Sequence, residues 1–181
     1  MRYVESLNLA LHELFNTNNK IFLIGEDILD PYGGAFKVSK GLSDKYPEKV
    51  ISTPISESGI IGLATGLSLA DIETKCICEI MFADFVTLSV DQIVNHLVKF
   101  KNMYRLDKDL NVTIRMPSGA YRSYGPTHSQ SLESLFFNVP NLDIISPSIF
   151  SDPGITLKKT VNFQKPSIFV EHKSLYPLLI V

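Results

Sequence analysis

Lys75-Cys76-Ile77-Cys78-Glu79-Ile80 is a short apolar run of the kind that forms a strand buried on both faces. Behind it, Val90, Ile93, Val94, Leu97 and Val98 recur at helical spacing, predicting a helix over 88–100. The same alternation of strand and helix extends in both directions. Upstream, Leu7, Ala10, Leu11 and Leu14 mark a helix over 3–15, and the Asn-rich stretch 16–19 stops it. Ile21-Phe22-Leu23-Ile24 ends at Gly25 as a buried strand, and Asp30-Pro31-Tyr32-Gly33-Gly34 is a turn. A helix over 36–46, a strand from Val50 to Thr53 closed by Pro54, and a helix over 57–70 follow. Downstream come a strand from Val112 to Met116, a Gly- and Ser-containing loop from Pro117 to Pro126, and a short helix near 131–137. A strand from Leu142 to Ile145, a helix over 152–162 and a strand from Ser167 to Glu171 complete the pattern. Short buried strands separated by helices predict β-α-β units. The expected fold is therefore a three-layer α/β/α domain with a mainly parallel sheet of about six strands, occupying residues 1–181.

The composition agrees and narrows the function classes. A length of 181 residues suits one ordinary domain, and 45% hydrophobic against 20% charged residues is globular rather than disordered. Seventeen basic and nineteen acidic residues leave a net charge of −2, without the footprint expected of a nucleic-acid binder or an anionic-membrane binder. No apolar run approaches the roughly 20 residues of a membrane helix. Met1 to Ala10 lacks both the apolar core of a secretory signal and the Arg-rich character of a transit peptide, so a cytoplasmic location is expected. Cys76 and Cys78 are too few for a disulfide framework and have no second pair to complete a zinc set, so no metal site is expected.

In parallel sheets ligands gather at the carboxyl ends of the strands, so the residues just beyond each strand are the candidates. Thr53-Pro54-Ile55-Ser56-Glu57-Ser58-Gly59 puts Glu57 at the start of a helix, where an acid either complements the helix dipole or faces a ligand. Gly59, Gly62 and Gly66 lie along that helix; they imply close approach by another backbone or a ligand, or plain helix–helix packing. Met81-Phe82-Ala83-Asp84-Phe85 follows the next strand. Its aromatic rings are either core or a stacking platform for a flat heterocycle, and Asp84 is placed to cap the helix behind it. The long segment from Pro117 to Ser131 carries His128, either a solvated loop residue or a proton carrier. His172, beside Glu171, fits an ion-paired surface residue. Neither a P-loop, a dinucleotide glycine fingerprint nor a nucleophile elbow is present. Glu57, Phe85 and His128 therefore remain as the set able to converge.

Read in order, Gly25-Glu26-Asp27, Tyr32-Gly33-Gly34-Ala35-Phe36-Lys37-Val38, Thr53-Pro54-Ile55-Ser56-Glu57, Glu79-Ile80-Met81-Phe82-Ala83-Asp84-Phe85, Asp91-Gln92-Ile93-Val94-Asn95, Tyr124-Gly125-Pro126-Thr127-His128-Ser129-Gln130-Ser131 and Glu171-His172-Lys173-Ser174-Leu175-Tyr176 resemble one family. It is the β subunit of the E1 component of pyruvate, branched-chain 2-oxo acid and acetoin dehydrogenases, over its transketolase-like pyrimidine-binding domain. The resemblance implies thiamine diphosphate as cofactor. It implies that Glu57 hydrogen-bonds N1′ of the aminopyrimidine, where a carboxyl in an apolar site shares a proton readily. It further implies that Phe85 stacks on that ring, that Ile55 and Met81 wall it, and that His128 is an active-site proton donor or orienter. The expected activity is oxidative decarboxylation of a 2-oxo acid with acyl transfer to the lipoyl domain of E2. The expected partners are an α-type subunit holding the diphosphate and magnesium, and a second β chain contacting the helix at 88–100 through Asp91, Gln92 and Asn95.

Three departures from the family pattern stand out. The diphosphate-binding motif is absent. The family's C-terminal domain is absent, and the sequence ends in apolar Pro177-Leu178-Leu179-Ile180-Val181, as in a fragment or a subunit whose partner covers the tail. Phe163 and Lys165 occupy the positions at which many relatives bind a structural cation, arguing against potassium there. Two alternatives stay open: a subunit of a split transketolase-like enzyme, and a non-catalytic scaffolding subunit that kept the fold.

Overall fold

The computed structural model describes residues 1–180. Six strands form one sheet: β1 (Ile21–Gly25), β2 (Val50–Ser52), β3 (Lys75–Glu79), β4 (Asn111–Ser118), β5 (Asp143–Ile145) and β6 (Ser167–His172). Their order is β2-β1-β3-β4-β6-β5 and every pairing is parallel. The sheet is thus wholly, not mainly, parallel. Side chains alternate across it. Ile24, Cys76, Cys78, Val112, Ile114, Ile168 and Val170 point into one core, whereas Leu23, Ile77 and Phe169 point into the other. On the second face lie α1 (Tyr3–Thr17), the short α2 (Leu42–Lys45) and α5 (Pro153–Asn162); on the first lie α3 (Glu57–Ala70) and the segment from Ala83 to α4 (Phe100–Tyr104).

Local chemistry accounts for the helix ends. The Glu5 carboxylate accepts from the Arg2 backbone N–H at 2.8 Å, holding the first turn of α1. The helical stripe Leu7, Ala10, Leu11 and Leu14 is buried as its spacing required. Ser56 caps α3 by accepting from the Gly59 N–H at 3.2 Å, and Asp152 caps α5 by accepting from Gly154 at 2.8 Å and Ile155 at 3.1 Å.

Three expected helices differ. The one over 36–46 shrinks to four residues, because Lys37 (φ 60°) and Gly41 (φ 79°) turn left-handed and break the ladder. The helix over 88–100 is not one α-helix. Ala83–Ser89 is a 3₁₀ turn, Gln92–Leu97 a π-helix and Phe100–Tyr104 a separate α turn. The Val98 N–H bonds the Ile93 carbonyl at 3.2 Å, and this wide turn lets both Leu97 and Val98 reach the core. The short helix near 131–137 is a 3₁₀ turn over Glu133–Phe136.

The terminal segments meet. The Tyr3 N–H bonds Leu178 O at 2.9 Å and the Ile180 N–H bonds Met1 O at 3.1 Å, so residues 178–180 run beside the N-terminus rather than projecting as a free tail.

Candidate active site

From β1 the chain passes outward to β2, then returns through α3 to β3 on the opposite side of β1. This reversal opens a crevice beyond the carboxyl ends of β1 and β3, the place where parallel sheets bind ligands. Glu26 follows β1, Glu57 opens α3, Phe82 and Phe85 follow β3, and His128 lies in the 3₁₀ turn Pro126–His128 beyond β4.

Both acids are buried. Glu26 accepts from the Ser56 N–H at 3.1 Å, tying the end of β1 to the start of α3. Burial foremost, and then the neighbouring Glu57 charge, push the Glu26 carboxyl above the usual range, against the pull of that backbone N–H. The Glu57 carboxylate has no hydrogen-bond partner among the described residues although the residue is only 6% exposed. Its oxygens are not among the buried unpartnered atoms of the described residues, so the small exposed part of Glu57 leaves the carboxylate open to a donor from outside the chain. The Ser58 hydroxyl donates to the Leu88 carbonyl, which fastens the first turn of α3 to the 3₁₀ turn carrying Phe85.

The structure brings Phe85 and His128 together. The His128 ring meets the edges of Phe85 at 5.1 Å and Phe82 at 4.8 Å between centroids. Phe82 continues the aromatic wall to Tyr124 at 5.5 Å and Phe36 at 5.8 Å. Met81 is half-buried at the end of β3. Ile55 is 84% exposed, so it stands at the mouth rather than in a closed wall of this chain.

Several expectations about neighbouring residues are corrected. Asp84 does not cap a helix; its buried Oδ1 accepts from the Gln130 backbone N–H at 3.3 Å and from Gln130 Nε2 at 2.9 Å, fastening the His128 loop to β3. His172 forms no ion pair among the described residues; its Nδ1 lies 2.8 Å from the Ser174 hydroxyl. Its neighbour Glu171 is the paired residue, and it is fully buried. Gly66 has no atom within 4 Å of the place of its missing side chain, and Gly62 only Gln92 Oε1 at 3.6 Å, so among the described residues nothing packs closely at these two positions. Lys165 pairs with Asp143 at 2.5 Å, and Phe163 is exposed.

Sequence reading missed what supports the crevice from below. Parallel register sets Glu79 beside Arg115, and Glu171 follows two residues after the Arg115 partner Phe169. Arg115 donates to Glu79 at 2.9 Å and to both oxygens of Glu171, at 2.6 and 2.9 Å. The Tyr176 hydroxyl adds a bond to Glu171 at 2.7 Å. Burial drives the Glu79 carboxyl upward, with Arg115 opposing, and drives the Tyr176 hydroxyl well above its ordinary value. Lys173 is also fully buried; its Nζ donates to the His128 carbonyl oxygen and sits 4.8 Å from the Phe82 ring centre. Position after a strand was the available signal for Glu26. Lys173 also follows a strand and lies in one of the quoted motifs, but nothing in the sequence shows that its side chain is buried against the His128 loop.

The model of the transketolase pyrimidine-binding domain matches residues 1–178. The 2-oxoisovalerate dehydrogenase subunit beta of Bacillus subtilis is 34% identical over 180 residues, covering 99% of this chain and 54% of that protein. The mitochondrial pyruvate dehydrogenase E1 component subunit beta of Chaetomium thermophilum is 36% identical over 173 residues, 95% of this chain and 44% of its own. The acetoin:2,6-dichlorophenolindophenol oxidoreductase subunit beta of Cupriavidus necator is 34% identical over 182 residues, 96% and 53%. The chain thus spans about half the length of the curated relatives it matches. Among solved structures, a split gene transketolase described as an inactive β4 tetramer superposes with TM-score 0.69 at 24% identity. That alignment covers 94% of this chain and 51% of the other, and supports the fold. With the family model running from the first residue to beyond the last strand, this chain belongs to the transketolase pyrimidine-binding domain family.

Proposed function

We propose that this chain supplies the aminopyrimidine half of the active site of a thiamine diphosphate-dependent 2-oxo acid dehydrogenase E1. The observation that carries the reading is Glu57: a largely buried residue whose carboxylate accepts no hydrogen bond among the described residues and stays open to an outside donor, at the switch-point crevice beside an aromatic wall. These residues fit the cofactor's aminopyrimidine, which needs one carboxylate and one flat apolar neighbour. When bound, thiamine diphosphate supplies the carbanion chemistry that a 2-oxo acid needs to lose carbon dioxide. Glu57 would hold and share a proton at a pyrimidine ring nitrogen. Phe85 would offer its face to the ring, with Met81 and Ile55 bounding it. His128, half-buried against Phe82 and Phe85, would hold a proton at the reacting group or at the arriving lipoyl arm. The curated relatives are β subunits, which favours an α-type partner carrying the diphosphate and magnesium and a lipoyl domain of E2 as acyl acceptor. The bare face around Gly62 and Gly66, next to Gln92, favours contact with a second β-type chain.

The test uses the complex recovered through a tagged copy of this chain. Glu57→Ala should lower 2-oxo acid decarboxylation by about 10²–10⁴ without releasing the partner subunit. An unchanged rate overturns the role of Glu57. Ketol transfer between sugar phosphates, in place of decarboxylation, moves the assignment to a split transketolase. Absence of both activities leaves a scaffolding subunit.

A further inference from the structure

We propose that Lys173 is a positioning residue for His128: its buried ammonium clamps the His128 main chain and so keeps the imidazole set against Phe82 and Phe85. This deepens the reading above and rests on His128 belonging to the active site.

Between β4 and the Pro126–His128 turn, the backbone is left-handed at Gly119 (φ 84°), Tyr121 (φ 73°), Ser123 (φ 56°) and Gly125 (φ 81°). Two of these residues carry side chains that disfavour such angles, so the surroundings must hold the conformation. On the β3 side the loop is held at Gln130 by Asp84. On the β6 side it is held by Lys173 twice. The Arg122 guanidinium donates to the Lys173 carbonyl at 3.3 Å, and Lys173 Nζ donates to the His128 carbonyl. Apart from this ammonium, the hydrogen bonds of the His128 backbone stay within its own turn: its N–H reaches Gly125 O at 3.3 Å.

A lysine in this place is unfavourable as a packing residue. It is fully buried, no carboxylate lies within ion-pair distance among the described residues, and burial pulls its pKa down with only the more distant Asp84 opposing. A hydrocarbon side chain of equal length would fill the space without that penalty. The charge is instead spent on one carbonyl and two aromatic faces, Phe82 at 4.8 Å and Tyr124 at 5.9 Å. The carbonyl belongs to the candidate proton carrier, and Phe82 is the ring that His128 packs against. One ammonium therefore fixes both the backbone of His128 and the surface on which its ring rests.

The test is a double-mutant cycle in the assembled complex with thiamine diphosphate and magnesium. It compares the unsubstituted chain, Lys173→Met, His128→Asn and the double variant. Met keeps the stem and removes the charge. Lys173→Met should lower kcat by about ten- to hundredfold, as expected when a reacting group is displaced by about 1 Å. KM and cofactor affinity should change less than twofold. In the double variant the rate should equal that of His128→Asn alone, since a residue acting through His128 has nothing left to position. Multiplicative losses, or a Lys173→Met complex as fast as the unsubstituted one, overturn the proposal. Full activity of His128→Asn, or no decarboxylation by the unsubstituted complex, sinks the active-site reading instead. The clamp is then judged by trypsin cleavage at Arg122 in the full chain. Lys173→Met should be cut at least tenfold faster, and equal cleavage rates overturn the clamp as well.

Discussion

Replacing Arg115 by Met tests the buried charge network that supports the crevice. Arg115 is 1% exposed and donates three hydrogen bonds to two carboxylates that are themselves buried, Glu79 and Glu171. The substitution keeps most of the volume but leaves both carboxylates without their cation. Tyr176 would still donate to Glu171, and the Ala35 N–H to Glu79 at 3.3 Å, so the acids are not wholly stranded. Removing one member of a buried ionic set costs about 3–5 kcal/mol. For a chain of 181 residues that corresponds to a fall in Tm of roughly 6–20 °C. The loss should depend on pH. Burial already raises the Glu79 pKa and Arg115 restrains it, so the variant releases it further upward. A carboxyl whose folded pKa is raised contributes stability below its unfolded value and loses it as pH rises through the folded value. The deficit of Arg115→Met should therefore be largest at pH 7–8 and shrink towards pH 4. Adding Glu79→Gln and Glu171→Gln should recover a large part of the loss at neutral pH. Urea and thermal melts across pH 4–8 measure both effects. A deficit under about 1 kcal/mol that does not vary with pH refutes the closed, buried network.

Glu26→Gln should raise Tm at pH 7–8. The Glu26 pKa is pushed up by burial and by Glu57, so its ionised form destabilises the fold above that pKa, while an amide oxygen can still accept from Ser56. The advantage should vanish near pH 4, and a variant less stable than the unsubstituted chain at pH 8 contradicts the origin of the shift. Gly154→Ala should cost about 1–3 kcal/mol by overpacking. A Cβ there would sit 2.4 Å from Ser6 O and 3.0 Å from the Ala10 methyl, wedging α5 away from α1. An unchanged urea midpoint would mean that the two helices have room to part.

How much was legible in the sequence follows from the range of each force. Periodicity and turn chemistry are local, so all six strands and the helices α1, α3 and α5 can be read directly. The segment 36–46 was misread because its apolar positions suit a helix, whereas the left-handed angles at Lys37 and Gly41 are set by what surrounds them. The helix expected over 88–100 differs because its stripe gives the side facing the core but not whether the turn is 3₁₀, α or π. That choice depends on which residues must reach the sheet at once.

By itself the sequence determined a parallel α/β sheet and the positions of Glu57, Phe85 and His128 just beyond strand ends. Strand period and strand-end placement are properties of the chain's own order, and seven short motifs in register point to the family. Only the tertiary structure decided that β1 is the switch strand, that Glu26 lies beside Glu57, and that Arg115 closes a buried network with Glu79 and Glu171. It alone shows that Lys173 is buried, with its ammonium on the His128 carbonyl. The physical reason is common to all of these. A charge buried in a core is tolerable only beside a partner far away in sequence, and the register of parallel strands, not local pattern, sets which partner that is.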